Sequence, residues 1–441
     1  MSQRRIIRLP EVPDRAEVLH RMSDEPVLML LDSNNTLQEQ RDRFSRYDLL
    51  LAFGVDEQVA AGDRPFERLQ ERLESSGDWW FGHFSYDLKN RIERLQSAHP
   101  DPIGFPELFF FRPRVVLAVR DGEAWLEVSG LMEESAVEAI VRRIVERGEP
   151  SPSTATRVLI EPTVSREAYQ RQFQKLQEHI ARGDIYEVNY CVPFEGIAES
   201  FDPIDTYFRL TALSPMPFSG YYRENDHHLL CASPERFLCK RGNHLHSQPI
   251  KGTARRSSDP EQDRAVRVAL ANDPKEQSEN VMIVDLVRND LSRHAASGSV
   301  HVDELFGVHS FRNLHQLIST VSAELRAGHS AMEALRDCFP MGSMTGAPKI
   351  RAMELIEAYE NRKRGLYSGA IGYFGPDGDF DFNVVIRSIQ YHAVNRLVSY
   401  TAGSAITARA EADREYDECL LKAESMRLAV GGRQLAVGSR Q

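Results

Sequence analysis

The chain has 441 residues, a formal net charge of −11 and 41% hydrophobic residues. That length and apolar share allow a large core in one to three domains. The negative charge, with no basic stripe carrying interleaved aromatics, argues against a nucleic-acid partner. No apolar run approaches the roughly 18 residues of a membrane span.

The N-terminus lacks the apolar stretch of a signal peptide. Five scattered cysteines, Cys191, Cys231, Cys239, Cys338 and Cys419, form no CxxC pair. They read as reduced thiols of a cytoplasmic protein. In chain order, residues 27–31 and 48–53 predict buried strands, 79–86 an aromatic-rich strand and 108–119 another. Leu30-Leu31-Asp32-Ser33 reads as an ordinary strand end. The Pro/Ser-rich segment 148–154 predicts a linker, so that residues 1–150 form an N-terminal region and 164–428 a second region, interleaved in one globule.

Ser165 opens a predicted amphipathic helix with Tyr169, Phe173, Leu176 and Ile180 at helical spacing. Strands are predicted at 187–194, 218–222 and 229–233, and a mostly buried helix at 276–292 in which Asp285 pairs with Arg288. A helix beginning at Pro348 uses the proline in its first turn. Strands at 370–374, 380–389 and 397–402 precede a final helix over 410–428. Strand runs separated by grouped helices indicate an α+β fold with large antiparallel-rich sheets flanked by helices.

Lys251, in Pro249-Ile250-Lys251-Gly252-Thr253, is the candidate nucleophile. An amine serves as one when its surroundings depress its pKa from about 10.4. Glu411, Glu415, Glu418 and Lys422 are spaced 4, 3 and 4 apart, on one helix face. Such a face is either a solvated, ion-paired surface or a place for a cation and its ligand. Glu279 is the candidate partner carboxylate, because Mg²⁺ takes one or two carboxylates and completes its shell with water and substrate oxygens. The segment 342–349 fails the spacing of a nucleotide phosphate loop but ends at a helix N-terminus, which favours an anion. Backbone amides of 401–405 and the guanidinium of Arg387 are further carboxylate-binding candidates.

The motifs SPERF, PIKGTARR, ENVMIVDLVRNDLSR, GSMTGAPK, GLYSGAIGYFG, NVVIRSI and EYDECLLKA, taken together, resemble the chorismate-utilising enzymes over residues 164–428. The N-terminal part is similar to the matching region of anthranilate and aminodeoxychorismate synthases. The resemblance is nearest to the aminodeoxychorismate synthase branch and implies the anthranilate synthase component I-like fold. It implies Lys251 as the nucleophile at ring C2 and Glu235 as the acid–base group at the 4-hydroxyl. Glu279 and Glu418 would bind Mg²⁺, with Glu276 and Glu415 acting through water. Ser343, Tyr367, Arg387, Gly403, Ser404, Ala405, Lys422 and Gln316 fall at substrate-contact positions.

Anthranilate synthases usually carry alanine at the Lys251 position. Isochorismate and salicylate synthases place a lysine base where this chain has Glu187. Three departures stand out: Gln316 where many relatives have histidine, with His315 adjacent; Ala405 where glycine is common; and Glu187 where the ammonia-using branch often has glutamine. The expected reaction is Mg²⁺-dependent amination of chorismate by ammonia in para-aminobenzoate and folate biosynthesis. The alternatives are anthranilate formation and a non-catalytic regulatory relative. No cysteine sits in a Gly-x-Cys-x-Gly elbow, so a separate glutamine amidotransferase subunit is expected to supply ammonia. The short segment after the final helix leaves no expectation of a fused lyase.

Overall fold

A computed structural model describes residues 4–34, 42–146 and 156–431. The segment 148–154 lies outside the described residues. Every strand pairing among the described residues is antiparallel.

Two long strands, Leu49–Ala60 and Leu108–Arg120, pair along their length and belong to two sheets at once. Their register shifts between Val55 and Glu57, beside Gly54 at φ +68°. Such a bulge bends a strand and increases its twist. Past it the sheets diverge. Leu49–Phe53 pairs with Val27–Asp32, whereas Leu108–Phe111 pairs with Trp80–Phe84.

The first sheet continues from Val27–Asp32 through Phe218–Glu224, His227–Ser233, Ser388–His392 and Leu397–Thr407 to Glu187–Ser200. The second runs from Trp80–Phe84 through Ala370–Phe374, Phe380–Asn383, Arg236–Arg241 and His244–Gln248 to Leu314–Glu324. That last strand also carries Ile250–Arg255 and His301–Ser310. Strands from the first 150 residues thus hydrogen-bond directly to strands from beyond residue 200.

Period-2 alternation divides the core. Leu28, Leu30, Leu51 and Phe53 face a cluster shared with Tyr169, Phe173 and Leu176 of helix Arg166–Ala181 and with Met426 of helix Ala412–Ala429. Val27, Met29, Leu50 and Ala52 face a second cluster holding Phe81, Phe109, Ile371 and Tyr373 of the other sheet. Both faces of these strands are therefore buried. That is why 27–31 reads as an unbroken apolar run.

Helix Arg166–Ala181 begins as its sequence predicts, with the Ser165 side chain accepting from Ala168 N at 3.3 Å. Three readings need correction. Residues 380–389 are two strands, Phe380–Asn383 and Ser388–His392. Between them Val384 N donates to Glu235 O, Val385 N to Gly369 O and Ile386 N to Val384 O, so no single ladder continues. Helix Lys349–Tyr359 starts one residue later than predicted, with Pro348 as its N-cap. Helix Pro274–Ser292 is not mostly enclosed: Asp285 and Arg288 pair at 2.7 Å, as expected, but on the solvent face. Its buried polar residues are Glu279, Asn280 and Asp290, and Asp290 is held by Lys349 Nζ at 2.5 Å.

Candidate active site

A cavity of about 1120 Å³ lies where strands Ile250–Arg255 and Leu397–Thr407 meet helices Pro274–Ser292 and Ala412–Ala429. Glu235, Lys251, Glu276, Glu279, Gln316, Ser343, Tyr367, Arg387, Gly403, Ala405, Glu415, Glu418 and Lys422 all line it. Ser404 does not. In a strand, neighbouring side chains point to opposite faces, and Ser404 points away, its hydroxyl 2.8 Å from Tyr169 OH.

Lys251 enters the cavity through a bulge. Ile250 pairs with Ile318 and Thr253 with Gln316, leaving one extra residue on the Lys251 strand. Gly252, at φ +88°, absorbs it. A Cβ at that glycine would lie 3.1 Å from Glu276 Oε2 and 3.2 Å from Leu317 Cβ, so glycine allows the close approach to the acidic helix.

Lys251 Nζ donates to Glu187 Oε1 at 2.6 Å. Its side chain is 12% exposed and that of Glu187 1%. Burial alone would lower the lysine pKa, but Glu187, Glu279 and Glu418 outweigh it and hold the ammonium above its usual range. This corrects the expectation of a depressed lysine: without ligand the amine is protonated and ion-paired.

Glu235 lies in the turn between His227–Ser233 and Arg236–Arg241 and is 4% exposed. Burial raises its carboxyl to about 7, against the opposing effects of Ser343, Lys251 and Lys422. Ser343 Oγ donates to Glu235 Oε1 at 2.7 Å. Ser343 and Met344 are the parts of the segment 342–349 that line the cavity. The helix N-terminus at Lys349 does not line it, so the anion site predicted there is not part of this cavity.

Helix Pro274–Ser292 is capped by Asp273, which accepts from Lys275 N and Glu276 N. Glu276 and Glu279 follow on its cavity side. Helix Ala412–Ala429 contributes Glu415, Glu418 and Lys422. Glu411 is the N-cap residue and pairs with Arg414 at 3.1 Å, so it leaves the expected face. Lys422 Nζ bridges Glu418 Oε1 at 2.6 Å and Gly403 O at 3.0 Å.

Sequence reasoning missed Lys275. Its Nζ lies 3.8 Å from Glu279 and 3.6 Å from Glu415, among the carboxylates. The signal was present as an i, i+4 pair with Glu279. Burial and repulsion from Glu187 and Glu276 raise Glu279 to about 7 despite Lys251 and Lys275, and its Oε1 is buried without a hydrogen bond. Glu276 and Glu415 are also raised, first by burial. A surplus of carboxylate oxygens with an unsatisfied buried acceptor fits a hard divalent cation. Among the described residues, the one group whose three ligand atoms already lie within 4.8 Å of one another is elsewhere: His294, His329 and Glu333.

Arg387 sits at φ +51° in the break between strands. Its Nη1 reaches Lys422 O at 3.5 Å, and among the described residues no carboxylate lies within salt-bridge distance of it. Burial lowers its pKa. A half-buried guanidinium near the buried Tyr367, with no carboxylate partner among the described residues, suits a ligand carboxylate. His315 turns away to Asp263 and Ser310, at 3.1 and 2.8 Å, which leaves Gln316 facing the cavity with an unpartnered Oε1.

The pattern of the chorismate binding enzyme family matches residues 29–428. The chain belongs to this family. It is 33% identical over 427 residues to "Aminodeoxychorismate synthase component 1" of Escherichia coli, covering 90% of this chain and 92% of that protein. It is 40% identical over 374 residues to the chloroplastic aminodeoxychorismate synthase of Arabidopsis thaliana; the match covers 80% of this chain but only 40% of that longer protein. The anthranilate synthase component I structure from Streptococcus pneumoniae superposes with a TM-score of 0.78 at 26% identity, covering 88% of this chain and 94% of that one. The fold is the α+β fold of these synthases, and the chain is closely related to aminodeoxychorismate synthase component I. No described helix is long and apolar enough to cross a membrane.

Proposed function

We propose that this chorismate-family enzyme aminates chorismate at C4 with ammonia, giving 4-amino-4-deoxychorismate for para-aminobenzoate and folate synthesis. The observation that carries this reading is the amine of Lys251 in one cavity with Glu235, whose carboxyl lies at about 7. A carboxyl poised there can donate a proton at neutral pH and take one back.

Arg387 and Tyr367 hold the enolpyruvyl carboxylate, and Lys422 lies beside the ring carboxylate. Gln316, Ser343, Gly403 and Ala405 shape the remaining contacts, and Ser404 supports them from behind. Mg²⁺, when bound by Glu279 and Glu418 with Glu276 and Glu415 acting through water, would neutralise and orient the ring carboxylate. Lys251 Nζ attacks C2, the ring double bonds shift, and Glu235 protonates the departing 4-hydroxyl. Ammonia then bonds to C4, the double bonds shift back, and Lys251 leaves.

The ammonia comes from a separate glutamine amidotransferase subunit. All five cysteines are free and buried. Burial raises each thiol, Cys231, Cys239 and Cys419 to about 12, so none offers a glutaminase thiolate.

A second reading has support: the chain is 36% identical over 357 residues to "Anthranilate synthase component 1" of Thermus thermophilus, covering 79% of this chain and 76% of that protein. Incubation with chorismate, ammonium and Mg²⁺, followed by mass spectrometry of the products, separates the two. Retention of the enolpyruvyl group in an aminated product supports the proposal. Anthranilate with pyruvate refutes it.

A further inference from the structure

We propose that Glu187 is the proton acceptor for Lys251, taking a proton from its ammonium as Nζ bonds to the ring and returning it when the lysine departs. This rests on the reading of Lys251 as the nucleophile and supplies what that reading lacks, because the resting amine is an ammonium with no free electron pair.

Position comes first. Glu187 opens strand Glu187–Ser200 and is paired on both sides, to Ala347 and to Thr407. Its backbone is therefore fixed. The side chain is 1% exposed and does not line the cavity. It sits behind Lys251 and reaches Nζ at 2.6 Å.

No other carboxylate lining the cavity has a described contact with Lys251 Nζ. Glu235 is bonded to Ser343, Glu418 is paired with Lys422, and Glu279 and Glu276 lie on the acidic helix beside Lys275. Among the described residues, Glu187 is the carboxylate within hydrogen-bond distance of Nζ.

Glu187 Oε2 is buried and, among the described residues, has no hydrogen-bond donor. Among those residues the Lys251 ammonium is the cation paired with this carboxylate. A buried charge left without its partner is strongly destabilising. When Lys251 gives up a proton to become a nucleophile, the low-cost outcome is that Glu187 takes it and the pair is neutralised together.

The steps balance. One N–H proton passes to Glu187 Oε1 as the Nζ–C2 bond forms. The C1–C2 π pair moves to C1–C6, the C5–C6 pair to C4–C5, and the C4–O bond breaks with the Glu235 proton, releasing water. In the second half ammonia bonds to C4 and the π pairs return. The C2–Nζ bond breaks with its electrons on nitrogen, which regains the proton from Glu187. Glu235 takes a proton from the new C4 ammonium. The net change is chorismate plus ammonia to aminated product plus water.

The test uses the full-length protein with Mg²⁺ and chorismate but no ammonium. The rate of ring-adduct formation is read by rapid quench and intact-protein mass spectrometry, and chorismate affinity by calorimetry. Glu187→Gln keeps the shape and can still hydrogen-bond Nζ. It should bind chorismate as the wild type does, yet form the adduct at least about 100-fold more slowly, the scale of a lost general base. In Glu187→Ala, added formate should restore the rate.

An adduct rate in Glu187→Gln at or above the wild-type rate would overturn the proposal, because the glutamate would then only be holding the ammonium in its charged form. Slowing matched by lost chorismate binding would overturn it too, as a structural role. Should the wild type turn over without any adduct, or Lys251→Ala turn over at the wild-type rate, the nucleophile reading itself fails. That failure is distinct from an unaffected Glu187→Gln in an adduct-forming enzyme.

Discussion

Ser343 donates its hydroxyl to Glu235 across 108 residues of chain, at 2.7 Å and in a fully buried contact. The bond stabilises the carboxylate, yet burial still holds Glu235 at about 7. The acid role needs the protonated form. The kcat profile should therefore fall as pH rises through about 7. In Glu235→Gln that limb should vanish, with kcat lower by about 10²–10⁴-fold.

The same shift affects stability. A carboxyl raised in the folded state stabilises below its unfolded value of 4.5 and loses that contribution as pH rises through about 7. Glu235→Gln should therefore gain stability relative to the wild type at pH values above that window. Denaturant titrations on either side of it check the sign.

Arg236 supports the turn that carries Glu235. Its guanidinium is 0% exposed, 2.9 Å from Asp381 and 2.6 Å from Asp42. Arg236→Met leaves the largely buried Asp42 without its cation and Asp381 with Arg241 alone, and should cost about 3 kcal/mol in a urea titration.

Gly252→Ala should act at the nucleophile rather than at the acid. At φ +88° an alanine is strained, and its Cβ would press on Glu276 and Leu317. Stability should fall by about 1–2 kcal/mol. The rate should fall further than that loss accounts for, because the bulge aims Lys251. Adduct formation and thermal unfolding of the same sample separate the two effects.

Mg²⁺ should stabilise the protein by relieving the crowded glutamates. At 100 times its dissociation constant the gain is about 2.7 kcal/mol, read as a thermal shift. Glu279→Gln combined with Glu418→Gln should abolish that shift, while Glu411→Gln, on the exposed N-cap, should leave it intact.

Much of the framework was legible because it is written in local patterns. The runs at 27–31, 108–119 and 187–194 are apolar enough to read as strands, and Ser165 announces its helix. Strands His244–Gln248 and Ile250–Arg255 were not legible, since their histidine, serine, glutamine, lysine and arginine residues mask any apolar alternation. The break at 384–387 was hidden because Val384-Val385-Ile386 has high strand propensity, and tertiary hydrogen bonds override it.

Glu415 and Glu418 were found from their spacing, Glu279 from its place as a partner carboxylate, and Glu276 from the family resemblance. What the sequence could not show was the company they keep. Glu187 meets Lys251 from 64 residues away, so no local pattern links them. Lys275 was overlooked because a lysine beside Glu276 reads as an ordinary solvated helix start.

The most direct test of the account is peptide mapping of the protein after incubation with chorismate and Mg²⁺ in the absence of ammonium. The account predicts a peptide in which Lys251 carries chorismate less one water, lost in Lys251→Ala. An adduct that persists in Lys251→Ala, or product formation by that variant at the wild-type rate, would contradict it.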